Sequence, residues 1–162
     1  SGIVIVLDNL RHSSSLTHYR RFHSAYGGFS VSGITATVTS ADGYSWVVDA
    51  ASGGSLMADQ LVGDITSPSP SWVNQLVVSN SVGPGSHHHP TILRSTSQSV
   101  VLTAWTPTDQ GVTADMVVTD ESGLTTYSIR FASSSDPTDR QAYLGFEGTM
   151  GITRNTETEI RF

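Results

Sequence analysis

The chain contains no cysteine and no lysine. Without thiols, disulfide frameworks, cysteine-ligated zinc and thiol nucleophiles are excluded. Without lysine, arginine supplies all 8 positive side chains, set against 10 Asp and 4 Glu. Leucine (10) and glutamate are scarce, which argues against a helix bundle. Long apolar runs are missing too: the longest is Ile3–Leu7, far short of the roughly 20 residues a membrane-spanning helix needs. No charged-then-apolar leader opens the chain. Its Ser-Gly start is what is expected of a cytosolic product after removal of the initiator methionine.

What is abundant suits a pleated surface. Serine (25) and threonine (19) exceed a quarter of the 162 residues, and valine plus isoleucine (24) outnumber leucine by more than two to one. The net charge of −6 is an average over unlike parts. Residues 1–26 carry Arg11, Arg20 and Arg21 against Asp8, or +2; residues 27–162 carry 5 Arg against 13 acids, or −8. The positive charge is local.

Periodicity predicts eight or nine strands separated by turns, and no linker or repeat divides them, so one β-domain is expected over 1–162. Strands are expected at Ile3–Leu7, 29–39, Tyr44–Ala50, Trp72–Ser79, Gln98–Trp105, Thr113–Thr119, Leu124–Phe131 and Ala142–Ile152, with Thr156–Phe162 as a ninth strand or an arm. Gly33 sits where the 29–39 alternation changes phase, as in a β-bulge. Ser40–Gly43 and Asp120–Gly123 read as hairpin turns. Two interruptions read as helical. In Ser13–Ala25 the residues Leu16, Tyr19, Phe22, His23 and Tyr26 fall in one stripe at 100° per residue, and Ser55–Leu61 allows one or two turns. Segments 63–71 and 80–91, each with two prolines, read as loops. The fold class expected is all-β: an antiparallel sandwich of jelly-roll type with one or two short helices.

No nucleophile elbow, phosphate-cradling glycine loop or His-Glu-x-x-His motif is present, so no enzyme, catalytic residue, cofactor or metal is expected. The basic segment holds Arg11-His12 and His18-Tyr19-Arg20-Arg21-Phe22-His23, the one place where basic and aromatic residues interleave. Arginine pairs with phosphate and stacks on bases, so Arg11, Arg20 and Arg21 are candidate RNA contacts. The competing reading makes the aromatics core and the arginines a solvated face. Arg20 lies at the margin of the stripe and Arg21 well off it, which favours Arg21. His87, His88 and His89 form a candidate pH-sensing or assembly loop, active between about pH 5 and 7.5 where imidazole titrates. Neighbouring side chains in an extended segment diverge, so a plain polar loop is the stronger reading and a metal site would need several subunits. Asp136-Pro137-Thr138-Asp139 offers carboxylates to calcium but reads as a turn. Trp46, Trp72 and Trp105 could make a sugar-binding face, although tryptophan in a sandwich is usually core.

The order of elements resembles tymovirus-like coat proteins, the single jelly-roll capsid subunits of small icosahedral RNA viruses. The residues that carry the resemblance are Ser15–Ala25 read as a helix, Tyr44–Ala50 followed by Ala-Ser-Gly, Met57–Leu61 read as a short helix, and Phe146-Glu147-Gly148-Thr149-Met150 in a closing strand. The resemblance implies a structural protein made in a host cytoplasm, many copies of which close into a virion shell around RNA. RNA contact through residues 11–23 is expected from the basic segment itself, and no membrane span is expected. A phage decoration or tail protein and a carbohydrate-binding sandwich are the alternatives.

Overall fold

A computed structural model describes residues 2–24, 27–51, 54–64, 71–108, 111–132, 142–143, 146–147, 150–154 and 160–161. Among them every regular element is a strand: β1 (Val4–His12), β2 (Leu16–Ser24), β3 (Phe29–Ser32), β4 (Thr35–Thr39), β5 (Ser45–Asp49), β6 (Ser55–Asp64), β7 (Ser71–Val82), β8 (Gly85–Ser95), β9 (Ser99–Thr108), β10 (Gly111–Asp120), β11 (Gly123–Ala132), β12 (Ala142–Tyr143), β13 (Phe146–Glu147), β14 (Met150–Arg154) and β15 (Ile160–Arg161). The protein is all-β, and every pairing whose register is resolved is antiparallel. The chain gathers into two compact units, residues 1–85 with 89–96 and residues 86–88 with 97–162.

The first unit holds two sheets, ordered β1-β8-β5-β4-β3 and β2-β7-β6. Ala36 and Val48 of the first sheet meet Leu76 and Val78 of the second in a buried core, with Phe22, Phe29, Leu56 and Leu93 packed around it. The two sheets therefore form a sandwich. The neighbours β1-β8-β5 and β2-β7-β6 interleave across the sheets in the manner of a Greek key. A jelly roll needs a second Greek key; here the free side of β5 is taken by β4, its own hairpin partner.

Turn chemistry sets the meander β3-β4-β5. Ser32 pairs with Thr35, leaving Gly33-Ile34 as a two-residue turn, and Gly33 takes φ 60°, a conformation that favours glycine. The phase change around Gly33 is therefore a hairpin rather than the expected bulge. The Ser40–Gly43 turn is present as expected: the Ser40 N–H donates to the Tyr44 carbonyl (2.8 Å) and the Gly43 N–H to that of Ser40 (3.0 Å).

Both expected helices are strands. β2 pairs with β7 along all nine of its residues, and β6 pairs with the other side of β7 from Ser55↔Ser79 onward. The 16–24 segment carries a helical stripe, but its residues have only a weak local preference for helix. The continuous β7 ladder on one side decides for the strand, because strand preference is largely a matter of neighbours. β7 and β8 also run through most of 80–91, so this segment is not the expected loop; Pro90 lies within β8. The 65–70 part of the other expected loop lies outside the described residues.

In the second unit the sheet order is β15-β14-β11-β10-β9. Val112, Ala114, Met116 and Val118 alternate inward on β10, with Ile129 and Phe131 buried on β11. The β10–β11 hairpin turns at Glu121-Ser122, inside the expected turn. A bulge leaves Thr103 unpaired, because Asp115 opposes Ala104 while Met116 opposes Leu102. The expected single strand Ala142–Ile152 is instead the small hairpin β12–β13 followed by β14, which pairs with β11. This stretch carries Gly145 and Gly148, and glycine weakens a strand interior. β15 pairs with β14, so part of the expected terminal strand exists.

Candidate nucleic-acid interface

Because β2 is a strand, consecutive residues point to opposite faces. His18, Arg20 and Phe22 turn toward the sandwich interior, while Thr17, Tyr19, Arg21 and His23 are exposed. Arg20 and Arg21, adjacent in sequence, thus have separate roles.

Arg20 is buried, with 7% of its surface exposed. Its guanidinium donates to the His89 carbonyl (3.2 Å), to Thr91 Oγ1 and to Asn80 Oδ1, and its Nε lies 3.5 Å from Asp8 Oδ2. These partners sit on β8, β7 and β1, so one side chain ties four strands of both sheets together. Burial lowers the Arg20 pKa, and the Asp8 charge opposes that shift. The side chain expected as an RNA contact is committed inside the fold; that assignment is corrected for Arg20. The His18 ring stacks on His89 beside it, with centroids 6.1 Å apart.

Arg21 faces outward, its Cζ 5.6 Å from the centroid of the Tyr19 ring. The pair makes a cation–π contact worth about 0.5–1 kcal/mol at an exposed site. Two positions along, His23 Nε2 lies 3.3 Å from Gln75 Oε1. Tyr19, Arg21 and His23 are therefore spaced at about 6.6 Å intervals along one face, from the rise of a strand. The register carries the row across the sheet: Arg21 lies opposite Val77, which lies opposite Met57, and His23 lies opposite Gln75, which lies opposite Asp59. An aromatic ring and a guanidinium in line on a sheet face can stack a base and pair a phosphate.

Arg11 is exposed on β1, three residues beyond Asp8. Strand alternation puts it on the other side of its sheet from Asp8, which meets Arg20 in the interior. The three arginines of the basic segment thus occupy three environments and do not converge. His87 and His89 share one face of β8 and His88 takes the other; His88 and His89 are buried. Among the described residues no group of three His, Asp or Glu side chains is placed to hold a metal. Asp136–Asp139 lies outside the described residues. Trp46 is exposed next to Tyr44, while Trp105 is half-buried. No helix among the described residues is long and apolar enough to cross a membrane.

Sequence reading missed Asp8, Asn80 and Thr91 as partners of Arg20, and missed Met57 and Asp59 on the outer face. No local signal separates Arg20 from Arg21: Leu16, Tyr19 and Phe22 fall on both parities, and the alternation of 16–24 lies in the burial that β2 gives its residues. Comparison of the chain with models of known protein families, with curated proteins and with solved structures returns no match.

Proposed function

We propose that the chain is a structural coat subunit, many copies of which close into an icosahedral shell around an RNA genome. The observation that carries this reading is the Tyr19-Arg21-His23 row, basic and aromatic, displayed on the outer face of an edge strand. Arg21 supplies the phosphate contact, Tyr19 supplies the stacking surface, and Arg20 holds the strand that presents them. An antiparallel sandwich whose polar interior cluster is spent on tying strands together supports a structural rather than a catalytic role.

Electron microscopy of the purified chain tests the shell: closed particles of uniform diameter with nucleic-acid absorbance are expected. A stable monomer retained on a polysaccharide column overturns it, and favours a second reading as a carbohydrate-binding module. That reading has a specific observation behind it, the neighbouring exposed rings of Tyr44 and Trp46. RNA contact is tested on unassembled protein with a single-stranded oligonucleotide. Arg21→Ala is expected to weaken binding and reduce the salt slope by about one, whereas Tyr19→Leu weakens binding at unchanged slope. Equal affinity for all three proteins rejects the contact.

A further inference from the structure

Among the described residues no strand pairs with the outer side of β2 or of β6, and these two edges differ in chemistry. β2 contains no acid and exposes Arg21 and His23; β6 contains no base and exposes Asp59. Among the described residues neither Arg21 nor Asp59 has a partner of opposite charge. Among the described residues β2 also exposes Leu16 (39%) and Tyr19 (51%), and β6 exposes Met57 (56%). Neither strand contains the lysine or proline with which free edges are commonly blunted.

We propose that these edges are the joint between copies of this chain, β6 of one copy adding to β2 of the next. Both strands are antiparallel to β7 and hence parallel to each other, so an added copy keeps its polarity and the new pair is parallel. Joining like edges is disfavoured, because β2 against β2 brings Arg21 and His23 onto their own kind and β6 against β6 does the same for Asp59. Joining unlike edges brings opposite charges together. The register within the sheet sets Tyr19 level with Ser55 and Arg21 level with Met57. A stagger of two residues between copies, which keeps every side chain on its face, places Tyr19 beside Met57 and Arg21 beside Asp59. Sulfur–aromatic and ion-pair contacts then form together. A guanidinium has five N–H donors, so an Arg21 held by Asp59 keeps donors for phosphate. The joint uses two different patches of each copy, the heterologous geometry that generates a ring when it closes and a filament when it does not.

The inference rests on the self-assembly in the proposed function and not on RNA, so it is tested on protein stripped of nucleic acid. Sedimentation velocity is compared for the wild type, Arg21→Asp, Asp59→Arg and the double exchange. Each single variant is expected to lower the assembled fraction at least tenfold, and the double exchange to restore it. As a second measurement, Met57→Cys and Tyr19→Cys chains, in a protein otherwise free of cysteine, are mixed and treated with a short bismaleimide. Cross-linked dimers are expected from the mixture and not from either chain alone. Single variants that assemble like the wild type, absence of rescue together with absence of mixed cross-links, or a wild type that stays monomeric overturns the joint. Normal shells from the charge variants would sink the joint and leave the coat reading standing. Rescue and mixed cross-links without closed, RNA-containing particles would keep the joint and sink the coat reading.

Discussion

Replacing Arg20 with alanine is expected to be the most damaging single change in the basic segment, although a neighbouring arginine is almost free to change. The guanidinium donates to the His89 carbonyl, Thr91 Oγ1 and Asn80 Oδ1, and its Nε lies 3.5 Å from Asp8 Oδ2. At an effective dielectric near 20 that ion pair has a gross attraction of about 5 kcal/mol, much of it offset by desolvating the arginine. The asymmetry between making and breaking the cluster matters more than its net worth. With Arg20 gone, Asp8 loses its counter-charge, and the Asn80 and Thr91 oxygens lose a charged donor. Arg20 is buried while Asp8 keeps 30% of its side chain exposed, and losing the pair together with three hydrogen bonds costs about 3–5 kcal/mol. For a chain of this length each kcal/mol moves the melting temperature by about 2–4 °C, so Arg20→Ala is expected to melt about 6–20 °C lower. Arg21→Ala, one residue away, is expected to stay within about 0.5 kcal/mol of the wild type.

Urea denaturation and thermal melting followed by circular dichroism measure both variants. Arg20→Met combined with Asp8→Leu should recover much of the loss, because an apolar pair of similar volume removes the stranded charge. An Arg20→Ala loss within about 1 kcal/mol of that of Arg21→Ala, or a double replacement less stable than Arg20→Met alone, would show that Arg20 does not tie the four strands together.

Gly54→Ala is expected to destabilise the first unit, measurable by urea titration. Gly54 has φ 112°, and an added Cβ would lie 2.6 Å from the Ser79 carbonyl oxygen and 2.7 Å from Asn80 Nδ2, disturbing the amide that holds Arg20. Asp49→Ala should lose about 3 kcal/mol in the same titration: it removes the carboxylate that accepts from Arg94 Nε at 2.6 Å and from the Thr35 hydroxyl at 2.8 Å. The Asp42 pKa is held below the usual carboxylate range, chiefly by a hydrogen bond from the Ser40 hydroxyl. A depressed folded pKa means its contribution is present above the ordinary carboxylate value of about 3.9 and is lost as pH falls through the folded one. Amide shifts of Ser40 and Gly43 should therefore titrate below about pH 4 in the wild type and stay flat in Asp42→Asn.

The turns and most strands were legible because their signals are local. Asp120–Gly123 carries its own turn residues, and the β10 alternation needs no knowledge of its partners. The two segments read as helices show what is not local. Leu16, Tyr19, Phe22 and His23 do make a stripe at 100° per residue, yet the ladder with β7 makes the nine residues a strand whose burial alternates. Ser55–Leu61 has no strong period of its own and takes strand form on the opposite side of β7. Pro90 suggested a loop, but β8 accommodates it with His88 and His89 buried on either face. The position of the positive charge was legible from composition alone; its division between interior and surface was not, because that depends on a period the stripe conceals.

That division carries the functional argument. Had residues 16–24 formed a helix, Arg20 and Arg21 would lie 100° apart and both could reach one phosphate backbone. On a strand they are separated by about 180°, so each can do what the other cannot. The inward arginine binds β1, β7 and β8 to β2 and gives the edge strand a fixed position. The outward arginine, with Tyr19, then has a defined place on a sheet face rather than a mobile arm. A structural subunit that must meet identical copies in one register needs its edges fixed in this way, since pairing by backbone tolerates slips of two residues. In the proposed joint, Asp59 against Arg21 and Met57 against Tyr19 make one such register preferable to its neighbours. The buried Arg20 cluster keeps the strand bearing half of that code from shifting when a second copy arrives.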